Sequence, residues 1–192
     1  MEIIKKLVSK FTKGRNGKKP FLVVIHIAVG TKEQVYSTFK YEEKSSHYLV
    51  NRDGSVWQFV DEKDTAWTQG IVNKPSSEMV VRYLSANPNA NINEICISIE
   101  HEGYSLINDI QYQTSAKLIR DICERNNIPI DNKHIIGHRQ IAAYKRCPDL
   151  IDIERLIHLA FSKPPETIQP PVAPSLIPAF LKRFNDKILG RC

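Results

Sequence analysis

The chain has 192 residues, 42% hydrophobic and 25% charged, enough for one domain of about 150 residues with its own core. No apolar run approaches the ~18 residues that a membrane-spanning helix needs, and the basic start MEIIKKLVSKF has no apolar stretch or cleavage site of a secretory signal, so the chain is expected to be made in the cytoplasm. The net charge of +6 sits entirely at the two ends, with residues 20–162 at −3, so the middle offers no basic face for a duplex and nucleic acid is not an expected partner.

Residues 1–19 read as a basic amphipathic segment ahead of the domain. FLVVIHIAV (21–29) is a β-branched apolar run and predicts a buried strand. KEQVYSTFKYEEK (32–44) predicts a short helix. SHYLVNRDGSVWQFV (46–60) predicts two strands about an Arg-Asp-Gly turn, a strong hairpin signal. DEKDTAWTQG (61–70) reads as a loop and SSEMVVRYLSA (76–86) as a short helix. INEICISIEHEG (92–103) is a further strand, stopped by Gly103. From Ile110 to Asn127, Tyr112, Ala116, Ile119 and Cys123 fall at helical spacing. KHIIGH (133–138) is a short strand, and Ile153, Leu156, Ile157 and Ala160 mark a last helix within 149–163. This alternation predicts an α/β fold, a mixed central β-sheet flanked by helices in a single domain over 20–162.

KPPETIQPPVAPSLIP (163–178) holds six prolines and reads as an extended linker. Residues 179–192 then read as a short basic amphipathic helix carrying Lys182, Arg183 and Lys187. Such a helix suits docking on the domain, pairing with a twin in a homo-oligomer, or holding an anionic polymer or membrane surface.

HIIGHRQIAAYKRCPD (134–149) raises the question of chemistry. Its histidine, lysine and cysteine are spaced too irregularly for a helix face. The spacing suits a loop that folds back until its ends meet. Cys96 and Cys123 read as reduced core residues, and Cys192 as incidental. His26 interrupts the most apolar strand, Glu100 ends ICISIE, His138 follows HIIG, and Cys147 closes the loop. A buried ionisable group needs a partner. One such histidine is more often a satisfied core residue, but two histidines and a cysteine at one end of a sheet are hard to explain that way. Two imidazoles and a thiolate suit zinc, and three protein ligands leave a fourth position open, as in catalytic sites.

VVIHIA, SHYLVNRDGSVWQFVDEKDTAW, ICISIEHEG, IPIDNKHIIGHRQI and KRCPD occur in that order. Together they resemble the zinc-dependent N-acetylmuramoyl-L-alanine amidases, the family of many phage endolysins, bacterial autolysins and peptidoglycan recognition proteins. The resemblance covers about residues 20–160. It implies Zn²⁺ held by His26, His138 and Cys147, with Glu100 as proton carrier and Lys145 stabilising an oxyanion. It implies bacterial peptidoglycan as the partner and cleavage of the bond between the lactyl group of N-acetylmuramic acid and the L-alanine of the stem peptide. On residues alone, Glu100 is equally a strand-end surface carboxylate and Lys145 a solvated lysine.

Two positions depart from the family pattern. Some members carry a tyrosine where this chain has Ser46, and others a Trp-His pair where it has Trp67-Thr68. Trp67 is a candidate to line a substrate groove or to pack a loop. His47, His101 and His134 read as supporting or packing residues, His158 as exposed, and Arg139 as a structural ion-pair partner. Two other readings compete: a peptidoglycan-binding module without hydrolysis, and a cysteine peptidase with Cys147 as nucleophile. The expected setting is a phage or prophage endolysin acting on the cell wall after release, with a host autolysin as the alternative.

Overall fold

The computed structural model describes residues 2–162. The linker and helix expected over 163–192 lie outside the described residues. Nine strands and four α-helices are present among them: β1 Ile3–Lys5, β2 Phe11–Thr12, β3 Leu22–Ile25, β4 Ala28–Val29, α1 Lys32–Tyr41, β5 Tyr48–Val50, β6 Val56–Gln58, β7 Thr65–Ala66, α2 Glu78–Ala86, β8 Cys96–Gly103, α3 Asp109–Asn126, β9 Ile135–Gly137 and α4 Ile153–Phe161. No described helix is long and apolar enough to cross a membrane.

The main sheet runs β1-β6-β5-β8-β3-β9, with β4 continuing beside the end of β8. Only the β5–β6 hairpin is antiparallel; β8 pairs in parallel with β3, β4 and β5, and β9 pairs in parallel with β3. The fold is therefore the mixed sheet with flanking helices that the pattern predicts. At the hairpin tip Gly54 has φ +83°, and a Cβ there would stand 2.6 Å from Ile110, so this turn takes glycine.

Alternate residues of each central strand face opposite layers. Val23, Ile25, Ile97, Ile99 and Ile135 pack against α3 and α4 through Ile119, Ile122, Leu156 and Ala160. Leu22, Val24, Cys96 and Ile136 face α2 and the turn before β8 through Val80, Ile92 and Ile95. Leu49, Trp57 and Phe59 pack on Val35 and Phe39 of α1. Both faces are covered, so β3 and β8 read as near-continuous apolar runs. Helix starts follow from capping: Thr31 with Gln34 opens α1, and Asn108 with Gln111 opens α3. Cys96 and Cys123 are buried and free.

Three expectations need correction. Residues 2–19 are not a segment apart from the domain. β1 pairs in parallel with β6, β2 pairs with β7, and Arg15 is only 6% exposed. The stretch 61–70 accordingly contains β7 instead of being all loop. Strands of two or three residues carry too little alternation to be read from sequence. The run 21–29 also does not form one strand. It breaks between Ile25 and Ala28, where the backbone serves side chains: His26 O bonds His101 Nδ1 at 2.8 Å, and Ile27 N–H donates to Cys147 Sγ at 3.3 Å.

Candidate metal and catalytic site

The parallel strands β3, β8 and β9 end on the same side of the sheet, and each delivers a functional residue there. His26 follows β3 and stays in register through its N–H to Ile99 O, 2.9 Å. Glu100 lies within β8. His138 follows β9 and begins a single 3-10 turn over His138–Gln140.

The loop after His138 does fold back. Arg139 N–H donates to Cys147 O at 2.8 Å, closing it at its base. Gly137 makes this closure possible. A Cβ on Gly137 would stand 2.6 Å from Pro148 Cδ and 3.1 Å from Ile153 Cδ1, so only glycine lets the Cys147–Pro148 turn seat against the end of β9.

As a result, donor atoms of His26, His138 and Cys147 all lie within 4.8 Å of one another. The two rings are 4.6 Å apart, centroid to centroid. Cys147 Sγ is 3.7 Å from His26 Nδ1. In a tetrahedral site with zinc–ligand bonds of about 2.0–2.3 Å, neighbouring donors stand about 3.3–3.8 Å apart. His138 Nε2–H donates to Gln69 O at 2.9 Å, which leaves its Nδ1 lone pair free. His26 Nε2 and Glu100 Oε2 are buried without any hydrogen-bond partner, a state that a built site completes with something else. The donor set and its spacing fit zinc.

Electrostatics agree with a site made for a cation. Burial holds the His26 pKa well below the imidazole range, with His138, His101 and Lys145 adding to the effect. Burial also lowers His138, against its bond to the Gln69 carbonyl. Burial, and then Glu100, pushes the Cys147 thiol up to about 12, against the Ile27 N–H, Lys145 and Arg139. Glu100 is pushed up to about 8 by burial, and Lys44 draws it back. Glu100 Oε1 lies 4.0 Å from His26 Nδ1, but with His26 neutral this is proximity, not an ion pair. Each of the three donors is thus neutral on its own, and a divalent cation among them would stabilise the thiolate.

Lys145 sits in the same loop, its ammonium 5.1 Å from the Tyr144 ring centre, and its charge acts on all three cluster residues. Trp67 is not brought into the cluster. Its indole N–H donates to Thr12 Oγ1 at 2.9 Å and its backbone N–H to Ser45 Oγ at 3.0 Å. Ser46 is fully buried and donates to Ser98 O, so its hydroxyl serves the structure. His134 bonds Asp131 at 2.7 Å, and His158 is exposed.

Sequence reading missed Gln69. It holds His138 through its backbone carbonyl, which no side-chain motif reports. Its side-chain Nε2 donates to Ser98 Oγ at 2.8 Å, and Ser98 N–H donates to His47 Nδ1 at 3.1 Å. His101 bridges His26 O and Ser115 Oγ, each at 2.8 Å. These two buried histidines make a pH prediction. Burial depresses His47 to about 3, helped by the Arg15 charge and opposed by the Asp64 carbonyl, and depresses His101 to about 4, opposed by the His26 carbonyl. An unfolded imidazole titrates near 6.5. Below that pH the unfolded chain binds protons that the fold refuses, so stability falls as pH falls from about 6.5 towards 4, approaching ~2.7 kcal/mol per pH unit for the pair. Urea midpoints of metal-free protein at pH 7, 6 and 5 read this slope, and a flat profile contradicts it.

The sequence matches the family model described as N-acetylmuramoyl-L-alanine amidase over residues 16–149, more than two thirds of the chain. The chain belongs to this amidase family. Among curated proteins, no sequence matches it. Solved amidase-fold structures do. A selenomethionine derivative of AmpD superposes with TM-score 0.64 at 20% identity, covering 82% of this chain and 94% of that one. PlyL gives 0.54 at 22% identity, covering 77% and 87%. The N-acetylmuramoyl-L-alanine amidase LysC from Clostridium intestinale URNW gives 0.58 at 13% identity, covering 85% and 99%. At these identities the likeness is one of fold, and it spans 87–99% of those three chains.

Proposed function

We propose that this amidase-family chain is a zinc-dependent peptidoglycan hydrolase that opens the amide between N-acetylmuramic acid and the L-alanine of the stem peptide. The observation that carries the reading is the gathering of His26, His138 and Cys147 within 4.8 Å, beside the buried carboxyl of Glu100. His26, His138 and Cys147 would hold the metal. When bound, zinc supplies a Lewis acid that polarises the amide carbonyl and acidifies water. Glu100 takes the proton of the attacking water and delivers it to the leaving amine nitrogen. The Lys145 ammonium stabilises the negative charge that develops on the carbonyl oxygen. Setting and release follow those of a phage or prophage endolysin, a class to which several structurally similar proteins are assigned by name.

The cysteine-peptidase reading loses its ground. A thiol pushed up to about 12 is a poor nucleophile at neutral pH, and Cys147 faces a histidine that burial keeps from acting as a charged partner. A binding module without hydrolysis would not need the third donor that Cys147 brings.

Purified protein should contain one zinc per chain. Metal analysis of His26→Ala, His138→Ala and Cys147→Ser should each show a large loss, and chelation should abolish hydrolysis while a thiol-alkylating agent leaves zinc-loaded enzyme active. Mass spectrometry of digested cell wall should show free N-acetylmuramic acid carboxylates and new alanine amino termini. Full zinc occupancy in all three variants, or opening of a different bond, would overturn the assignment.

A further inference from the structure

Next to Glu100 the surface opens into a pocket of about 240 Å³. Ala28 and Val29 of β4 form one wall and Val35, Thr38 and Phe39 of α1 the other, Glu100 completes the lining, and the half-exposed Lys44 stands at the rim. Val29 is 72% exposed although it lies in the sheet, so this wall is apolar surface left open. Lys44 lies just past the end of α1. Its ammonium meets Glu42 Oε2 at 2.8 Å, but both side chains are more than half exposed, so this pair is a weak tether that a better placed anion can replace. Lys44 is also the cation whose charge acts on Glu100.

The position of Glu100 decides which part of a substrate belongs here. In the reading above, Glu100 hands its proton to the leaving amine. The residue that owns that amine must therefore sit at Glu100, and the chain that follows it must run into the adjoining pocket. The side chains of Ala28, Val29, Val35 and Phe39 suit a methyl group beside the scissile bond. The cation at the rim then faces the next residue. We propose that this pocket is the leaving-peptide subsite and that Lys44 binds a carboxylate on the residue following the alanine, making the chain selective for stem peptides in which that carboxylate is free rather than amidated. The proposal rests on the amidase reading for its direction and names Lys44 as a specificity residue.

Two muramoyl dipeptides that differ only in a carboxylate or a carboxamide on the second residue test it. Zinc-loaded wild-type protein should favour the carboxylate by about fivefold to tenfold in kcat/KM, mainly through KM. Lys44→Gln should lose that preference by slowing the carboxylate substrate alone, and Lys44→Glu should invert it, both with zinc content unchanged. Calorimetric binding of the same two peptides, and of the released dipeptides, reads the subsite without turnover. Equal binding of both forms by wild-type protein, or a preference that survives in Lys44→Gln, overturns the subsite. Carboxylate-dependent binding that Lys44→Gln abolishes, with no hydrolysis of either compound, keeps the subsite and sinks the amidase reading instead.

Discussion

Glu100→Gln should keep the zinc and the fold and lower kcat by about 10²–10⁴-fold, the usual contribution of a positioned general acid–base group. The substitution is nearly isosteric. Glu100 Oε2 has no hydrogen-bond partner, so no native bond is lost at that atom. What is lost is an acceptor for the water proton and a donor for the leaving amine. The pH profile gives the prediction a sign. Burial pushes the Glu100 carboxyl up to about 8, and a cation held by His26, His138 and Cys147 draws it below that value. Wild-type kcat/KM should therefore rise with pH through this pKa and be lost as pH falls below it. In Glu100→Gln that acidic limb should vanish together with the rate. Lys145→Ala should also bind zinc and lose rate, but should keep the limb, because Lys145 contributes charge and not a proton. A wild-type rate for Glu100→Gln on muramoyl peptide would remove it from the mechanism.

The parts of this structure that were legible in the sequence are those where one segment carries its own signal. β3 and β9 are buried on both faces, as is β8 apart from Glu100, so VVI, ICISI and HII announce themselves as apolar runs. The β5–β6 hairpin is marked by its Asp53–Gly54 turn, and α3 by its helical period. His26, Glu100, His138 and Cys147 were legible because each departs from such a run or closes one. What stayed hidden depends on partners distant in sequence. β1, β2 and β7 are two or three residues long and exist only because each finds another strand. Gln69 acts through a carbonyl that every residue has. Lys44 matches no motif, and its meaning comes from the Glu100 pocket beside it. Gly137 was read only as part of the short strand KHIIGH, and the reason for a glycine there is the ring of Pro148, eleven residues on.

Arg15 is the largest omission, and it gives the second large expected effect. In sequence it sits among six lysines in residues 1–19 and reads as one more solvated cation. In the fold it is buried and joins three segments. Its Nε donates to Glu62 O at 2.6 Å, and its Nη1 reaches Glu94 O at 2.9 Å, Cys96 O at 3.1 Å and Asn93 O at 3.3 Å. Its Nη2 lies 2.8 Å from His47 Nε2. The guanidinium thus satisfies backbone carbonyls of the loop after β6 and of the turn leading into β8. From His47 the contacts continue through Ser98 and Gln69 to His138. Arg15→Met fills most of the space but leaves these carbonyls buried without donors, at about 1–3 kcal/mol for each that water does not reach. A loss of ~3–5 kcal/mol is expected, a large share of the ~5–15 kcal/mol that holds a domain together. Arg15→Lys should recover only part of it, since one ammonium on a flexible stem cannot reproduce the planar fork. Lys18→Ala, three residues on and exposed, should change stability by no more than ~0.5 kcal/mol. Urea unfolding of the three variants separates these cases. Should Arg15→Met unfold at the same midpoint as Lys18→Ala, the N-terminal segment is not part of what holds the fold, and the path from Arg15 to His138 carries no energy.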